Sequence, residues 1–138
     1  MKFVKLSDYA MADSDVINGG GTNCTEKIQT VLDMAKEGGG LFVTVDGGFL
    51  TETLTVYSHT TLFCPNEACG FYLKDDTNAP LIRNAHFSQG EREDRDISLI
   101  GGTYNFNCRH QLHDTGEIDS DDPVIRFTHS WVFGMMFY

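Results

Sequence analysis

A capped amphipathic segment followed by three consecutive glycines constrains this chain more than any other stretch. Asn23 is a residue type that accepts hydrogen bonds from the first free N–H groups of a helix, and Glu26 is placed three residues later to return one. Apolar residues then recur at helical spacing, at Ile28, Val31, Leu32 and Ala35. The pattern predicts a helix over residues 23–37 with one face on a core. Glycines 38–40 supply the left-handed conformation that ends such a helix.

Short β-type runs follow the glycines, and no second helical period appears. The first run is Leu41 to Val45, and a Gly-Gly turn leads from it into Phe49-Leu50. Further runs cover residues 54–57, 61–64, 71–73, 80–83, 97–106, 124–127 and 131–133. Strands this short, separated by turns, are compatible with a sandwich, a barrel or a solenoid.

The order of these motifs resembles the opening of pectate-lyase-like right-handed parallel β-helix proteins, and most of all the polygalacturonase-type glycoside hydrolases of family 28. The resemblance is carried by N-x-T-x-x-I-Q from Asn23, the glycines 38–40, and a loosely spaced V-x-x-G-x-F-L from Val45. It continues in I-S-L-I-G-G-T from Ile97 and D-P-V-I-R-F from Asp122. It covers about 110 of the 138 residues.

The resemblance implies an all-β fold, a right-handed parallel β-helix (solenoid) of a few coils with an N-terminal capping α-helix. The chain would form a single domain over residues 1–138. Residues 1–22 would be an N-terminal strand and loop, residues 23–37 the capping helix, and residues 41–138 the coils, truncated at the C-terminus.

The resemblance also implies the N-terminal part of a pectin- or polysaccharide-degrading glycoside hydrolase or lyase. Inverting glycosidases need two suitably spaced carboxyl groups, and the family's N-T-D, G-H-G and R-I-K motifs are absent from the sequence. We therefore expect the chain not to be catalytic by itself, and its catalytic residues are unknown. The alternative is a non-catalytic, tailspike-like module for binding or attachment that acts as an oligomer.

A polar segment after the run at 97–106 carries the candidate substrate-binding residues. Loops on a rigid scaffold often hold function, so these side chains could line a sugar groove: Arg109, His110, His113, Asp121 and Asp122. An ordinary polar turn explains the same residues. The surrounding acidic run, from Asp114 to Asp122, could hold calcium, although it lacks EF-hand spacing. We otherwise expect no metal and no cofactor.

Four cysteines, at 24, 64, 69 and 108, are too few and too irregular for a disulfide scaffold. Cys64 and Cys69 could close a small disulfide loop, or join Cys108, His110 and His113 in a zinc site. Reduced thiols packed in the core are the preferred interpretation.

The net charge of −10 argues against nucleic acid and against an anionic membrane surface as partners. The family resemblance implies a polysaccharide or oligosaccharide as the partner. The sequence contains no apolar stretch of membrane-spanning length and no signal peptide, so both the cytoplasm and secretion after processing are open.

The run from Trp131 to Tyr138 is the most apolar part of the chain. An exposed apolar strand edge promotes association. We therefore expect self-association through residues 131–138, or a longer chain in which further residues cover them.

Overall fold

The structure, a computed structural model, describes residues 1–86, 93–111 and 135–136. Its one α-helix in these residues, α1, spans Thr25–Asp33. The strands are β1 Lys2–Lys5, β2 Leu41–Thr44, β3 Gly48–Thr51, β4 Leu54–Val56, β5 Thr60–Phe63, β6 Gly70–Leu73, β7 Ile82–Asn84, β8 Ile97–Ile100, β9 Thr103–Asn105 and β10 Met135–Met136. Short 3-10 turns cover Leu6–Asp8, Met34–Glu37 and Cys108–His110.

The strands form three sheets in which every described pair is parallel. Sheet 1 has the order β1-β2-β5-β8, sheet 2 the order β10-β7-β4, and sheet 3 the order β3-β6-β9. The chain passes through sheets 1, 3 and 2 in turn with β2, β3 and β4, and repeats that order with β5, β6 and β7. Strands that are distant in sequence therefore become neighbours.

The predicted fold class, an all-β right-handed parallel β-helix (solenoid), is wrong. The structure is a small α/β domain of three parallel sheets and one α-helix, and the described ranges show no closed solenoid. The apolar runs located the strands, but periodicity alone carries no information on whether sheets close on one another. The apolar stripe of the predicted capping helix is part of the same core as the sheets.

In sheet 1 the core is built from side chains that alternate along the strands, whereas β6 in sheet 3 is buried at all four positions. In β2 and β5, for example, Leu41, Val43 and Leu62 are buried while their neighbours are only half-buried. Phe49, Phe71 and Tyr104 are register partners across sheet 3, and their rings follow one another with centroids 6.2 and 5.6 Å apart. Aromatic contacts at these separations add to the hydrophobic stabilisation.

The helix covers sheet 2 and is fastened to its edge. The Gln29 side chain donates to the carbonyl of Thr55 at 3.0 Å and accepts from the Thr55 N–H at 2.9 Å. One amide side chain thus satisfies both backbone groups of a residue in β4, which has no strand neighbour on that side among the described residues. Ile28, Val31 and Leu32 lie on the buried face of the helix.

The predicted helix is nearly correct in extent. Its α-helical part begins at Thr25 rather than residue 23, and the last turn, Met34–Glu37, is 3-10. Asn23 accepts from the Thr25 N–H at 3.1 Å, so it ties down the first turn, although the N-cap position belongs to Cys24. Glycines 38–40 all have positive φ, as the helix-ending prediction requires.

The predicted single run over residues 97–106 is divided in two. Gly101 and Gly102, with φ of 69° and 81°, turn the chain between β8 in sheet 1 and β9 in sheet 3. A Cβ on Gly102 would lie 2.4 Å from the Cys64 Sγ, so the turn also packs too closely for a side chain. The predicted strands at residues 124–127 and 131–133 lie outside the described residues.

Candidate functional site

The outward-facing row of sheet 3 is Leu50, Tyr72 and Asn105, which are partners in the strand register. A segment that we call the covering loop, residues 11–22, lies across this row. Asn105 Nδ2 donates to the carbonyls of Val16 at 2.9 Å and Ile17 at 3.3 Å. These hydrogen bonds attach the covering loop to the outer face of sheet 3.

Two aspartates fix the shape of the covering loop. Asp13 accepts from the N–H of Thr22 at 2.9 Å and from its hydroxyl at 2.8 Å. Asp15 accepts from the N–H groups of Ile17 at 2.8 Å and Asn18 at 3.2 Å. These hydrogen bonds stabilise the ionised carboxylates, and they lower the pKa of Asp13 and the pKa of Asp15 below the ordinary value of 3.8.

Gly19 brings the covering loop into direct contact with Tyr72. Its φ is 78°, and a Cβ at this position would lie 2.5 Å from the Tyr72 ring. The Tyr72 side chain is accordingly buried although it points out of the sheet. Glycine satisfies both the backbone conformation and the close approach.

Beside the loop lies an open groove at the carboxyl ends of β6 and β9. It consists of two clefts of about 340 and 440 Å³ that share Asn18, Tyr72 and His110. We call it the Tyr72 groove; it is also lined by Leu50, Lys74, Asp75, Asp76, Asn105, Asn107 and Arg109. The carboxyl ends of neighbouring parallel strands are a common location for ligand sites, because the loops that follow the strands converge there.

Asn107 is the centre of a hydrogen-bond network under the groove. Its Oδ1 accepts from the Tyr72 hydroxyl at 2.8 Å and bonds His110 Nδ1 at 2.6 Å. Its Nδ2 donates to the Leu73 carbonyl at 2.9 Å and to Asp75 Oδ1 at 2.6 Å. One buried amide therefore sets the positions of a tyrosine, a histidine and a carboxylate.

The rim of the groove has an unusual backbone. Asp76, Asn78 and Asn107 have φ of 58°, 54° and 48°, in the left-handed region. Gln111 is buried and holds the first rim segment, because it donates to the Lys74 carbonyl at 2.9 Å and accepts from the Asn78 N–H at 2.8 Å. Asp and Asn adopt the left-handed conformation at lower cost than other non-glycine residues, and these hydrogen bonds hold it in place at the rim.

His110 presents a defined imidazole face to the groove. Asn107 Oδ1 is an acceptor, so His110 Nδ1 carries the proton in the neutral ring and Nε2 is left as an acceptor. The His110 and Asp75 side chains are 57% and 61% exposed, and His110 Nδ1 lies 3.7 Å from Asp75 Oδ1. Both can bond a ligand without rearrangement.

The charges of the groove are balanced. Lys74 and Arg109 are cationic, while Asp75 and Asp76 are anionic. The chain as a whole has a net charge of −10, so this balance is a local property. Such a lining offers many donors and acceptors without favouring either sign of ligand charge.

A larger cavity of about 760 Å³ lies on the other side of the covering loop, between residues 12–17 and Glu67, Ala68 and Thr103. The carboxylates of Asp13 and Asp15 in its lining are already bonded within the loop. The Tyr72 groove has more polar side chains for a ligand, and for that reason we place the candidate site there.

A second polar cluster surrounds Asp94. Its carboxylate accepts from Asn84 Nδ2 at 2.7 Å and from the His86 N–H at 2.7 Å, and it bonds His86 Nδ1 at 2.8 Å. Burial opposes ionisation here, but the bonds from His86 and Asn84 lower the pKa of Asp94 overall. We interpret this cluster as a structural one, because its hydrogen bonds join β7 and the residue that follows it closely to the segment before β8.

Of the five substrate-binding residues predicted from the sequence, the structure describes two. Arg109 and His110 lie together in the groove. His113, Asp121 and Asp122 lie outside the described residues, as does the acidic run considered for calcium. Tyr72, Asp75 and Asn107 were missed because only the fold brings them together, although Asp and Asn just after a strand are typical of residues that tolerate left-handed turns.

The cysteines of the alternative zinc site do not converge within the part of the chain that the structure describes. Cys64 and Cys69 are buried free thiols, Cys108 is an exposed one, and no group of three metal-binding side chains is found among these residues. Burial raises the pKa of the Cys64 thiol to about 11, so this thiol stays protonated at neutral pH. His113, the remaining proposed ligand, is outside the described ranges.

Within the described ranges, none of the helices has the length and apolar character needed to cross a bilayer.

Comparison with known proteins found no family model, no curated protein and no solved structure that matches this chain.

Proposed function

We propose that this chain binds an uncharged oligosaccharide or a segment of polysaccharide in the Tyr72 groove, as part of a carbohydrate-active protein. The observation that carries the proposal is the prebuilt rim, in which buried Asn107 fixes Asp75 and His110 while leaving both exposed. Sugars are recognised by fixed donors and acceptors that match their hydroxyl groups, and such preorganisation reduces the entropy lost on binding.

The charge balance of the groove supports an uncharged sugar over a uronic acid polymer. Lys74 and Arg109 are offset by Asp75 and Asp76, and the net charge of −10 repels a polyanion at long range. The motif resemblance to the pectate-lyase-like family supports a sugar ligand as the general class.

We propose binding rather than turnover. The motifs that carry catalysis in the resembled family are absent from the sequence, and glycoside hydrolysis requires an acid and a base or nucleophile at a defined separation. The groove's histidine and carboxylates would form hydrogen bonds to the sugar hydroxyl groups.

Isothermal titration calorimetry with neutral oligosaccharides, and with oligogalacturonate for comparison, tests the proposal. We expect a neutral ligand to bind and the uronate to bind at least about tenfold more weakly, a difference of about 1.4 kcal/mol. His110→Asn and Asp75→Asn should each weaken the neutral ligand by about tenfold, as expected for the loss of one polar contact of roughly 1–1.5 kcal/mol.

The chain offers a matched control in His59→Asn. His59 is also an exposed histidine paired with an aspartate, Asp96, at 2.9 Å, but it does not line the groove. This variant should bind like the parent chain. Equal losses in His59→Asn and His110→Asn, or no binding of any neutral oligosaccharide, would overturn the proposal.

A non-catalytic attachment module that works as an oligomer is the second candidate. The observation that favours it is the exposed apolar outer face of sheet 1, which includes Phe3 at 72% exposure and Ile100 at 48%. An oligomer would present several sugar grooves together, and their combined avidity would exceed the affinity of one.

A further inference from the structure

The outer face of sheet 1 is a continuous surface formed by two rows of register partners. Inward-facing Val4, Val43, Leu62 and Leu99 lie opposite one another, so the alternate positions point away from the core. We call these outward residues the sheet 1 face: Phe3, Lys5, Phe42, Thr44, Thr61, Phe63, Ser98 and Ile100.

Four of the eight outward side chains of the sheet 1 face are apolar, and they lie next to one another: Phe3, Phe42, Phe63 and Ile100. The rings of Phe3 and Phe42 are 5.5 Å apart, and those of Phe42 and Phe63 are 5.9 Å apart. Phe3 is 72% exposed and Ile100 is 48% exposed, while Met1, at 69%, extends the apolar surface beyond the strand. A contiguous apolar patch of this kind marks an interaction surface more often than a solvated one.

The sheet 1 face also lacks carboxylates. The chain contains 20 aspartate and glutamate residues, yet none stands at the eight outward positions. Its single charge is Lys5, whose Nζ lies 3.8 Å from Asp46 Oδ2 just beyond β2. Two copies of a chain with net charge −10 repel each other at long range, and at these eight positions they can approach without placing carboxylates opposite one another.

We propose that the sheet 1 face binds a second copy of this chain, face to face, in a two-fold symmetric dimer. Two parallel sheets can stack about 10 Å apart with their side chains interdigitated. A two-fold contact uses the same patch on both copies, so one apolar face is sufficient. The prediction drawn from the sequence placed self-association at residues 131–138, whereas this surface lies on β1, β2, β5 and β8.

The size of the sheet 1 face sets the strength of the contact. Four strands of about four residues cover roughly 19 by 13 Å, which is well below the about 800 Å² per partner of a standard interface. The dimer should therefore be weak and dependent on concentration rather than permanent.

Sedimentation velocity of the full chain over a concentration series tests the proposal. We expect a reversible shift from monomer to dimer between about 1 µM and 1 mM, the range of weak specific association. Phe63→Glu should shift the midpoint by at least about tenfold towards monomer, because it places a carboxylate in the middle of the face on both copies. Phe3→Ser should weaken the dimer without any change in charge.

Thr30→Glu is the matched control for charge, because Thr30 is exposed on α1 and lies away from sheet 1. It should dimerise like the parent chain, and far-ultraviolet circular dichroism should show that all the variants are folded. A contact through the edge of β1 would be insensitive to Phe63→Glu, since β5 is an inner strand.

Three results would overturn the proposal: a monomer up to about 1 mM, a dimer unaffected by Phe63→Glu and Phe3→Ser, or a monomer that is retained on insoluble glucan through these phenylalanines. The last result would assign the face to a polysaccharide surface instead. Because none of these variants touches the Tyr72 groove, calorimetry with oligosaccharide separates failure of this inference from failure of the proposed sugar site.

Discussion

Sheets 1 and 3 share one core but treat their outer faces in opposite ways. The outer row of sheet 3 is covered by residues 11–22, so that Tyr72 is 7% exposed. The outer row of sheet 1 has no such cover among the described residues, and Phe3 is 72% exposed. A covering segment thus buries the outer row of one sheet and forms a polar groove at its margin, whereas the apolar outer row of the other sheet stays exposed to solvent.

The largest expected effect is the difference in stability between removing a buried ring of sheet 3 and removing a ring on the outer face of sheet 1. Phe49→Ala removes a fully buried ring that contacts Phe71, and it should lower the free energy of unfolding by about 3–5 kcal/mol. Phe42→Ala removes a half-buried ring on the sheet 1 face, and it should cost about 1 kcal/mol in dilute solution. Urea unfolding at micromolar protein concentration measures both, and equal losses would contradict the assignment of inner and outer rows.

The contact between the covering loop and sheet 3 can be disrupted by adding a single methyl group at Gly19. Gly19→Ala places a Cβ 2.5 Å from the Tyr72 ring, whereas Gly20→Ala, with nearly the same φ, meets nothing within 4 Å. Both variants have the backbone strain of a non-glycine residue at positive φ, about 1 kcal/mol. Gly19→Ala should lose about a further 1–2 kcal/mol through overpacking, as measured by thermal unfolding.

A similar loss for Gly19→Ala and Gly20→Ala would show that the loop does not rest on Tyr72. Limited proteolysis adds a local readout, because cleavage within residues 11–22 should accelerate only in Gly19→Ala.

The side-chain hydrogen bonds of Asn107 can be removed without changing its left-handed backbone conformation. Asn107→Gly keeps the left-handed φ of 48° available but removes the partner of the Tyr72 hydroxyl and His110 Nδ1. We expect a loss of about 1–3 kcal/mol, which corresponds to leaving a buried polar group unsatisfied. In nuclear magnetic resonance spectra, His110 and Asp75 should change their chemical shifts while the sheet 1 face does not.

The smallest expected effect concerns pH and the carboxylates of the covering loop. The pKa values of Asp13 and Asp15 are lowered in the folded state, so these carboxylates contribute stability that is present above pH 3.8 and is lost as the pH falls through their folded pKa values. Amide hydrogen exchange in residues 13–22 should therefore accelerate as the pH falls below about 4, beyond the intrinsic dependence of exchange on pH. Asp13→Asn should remove part of this pH dependence, and an unchanged dependence in that variant would contradict the role of Asp13 in the loop.

The sequence predicted the local structure more successfully than the tertiary arrangement. The stripe from Ile28 to Ala35 and glycines 38–40 located the helix and its end, because these signals act within a few residues. The apolar runs located most of the strands, although the run over residues 97–106 hid the turn at Gly101 and Gly102. The fold class was wrong because short apolar runs do not specify how sheets are arranged.

The groove was only partly predictable for the same reason. Arg109 and His110 were named from the sequence, and both line it. Tyr72 read as part of a strand, and its role depends on Gly19, which lies more than 50 residues earlier in the chain. The covering loop has no apolar periodicity, so nothing local indicates that it lies on sheet 3.

Hydroxyl-radical footprinting of the dilute monomer tests the contrast between the two sheet faces most directly. Phe3, on the bare face, should be oxidised rapidly, while Tyr72, on the covered face, should be protected in spite of the greater intrinsic reactivity of its phenol ring. Oxidation of Tyr72 as fast as that of exposed Tyr9, which is 44% exposed, would contradict the covered face of sheet 3 and, with it, the geometry of the proposed sugar groove.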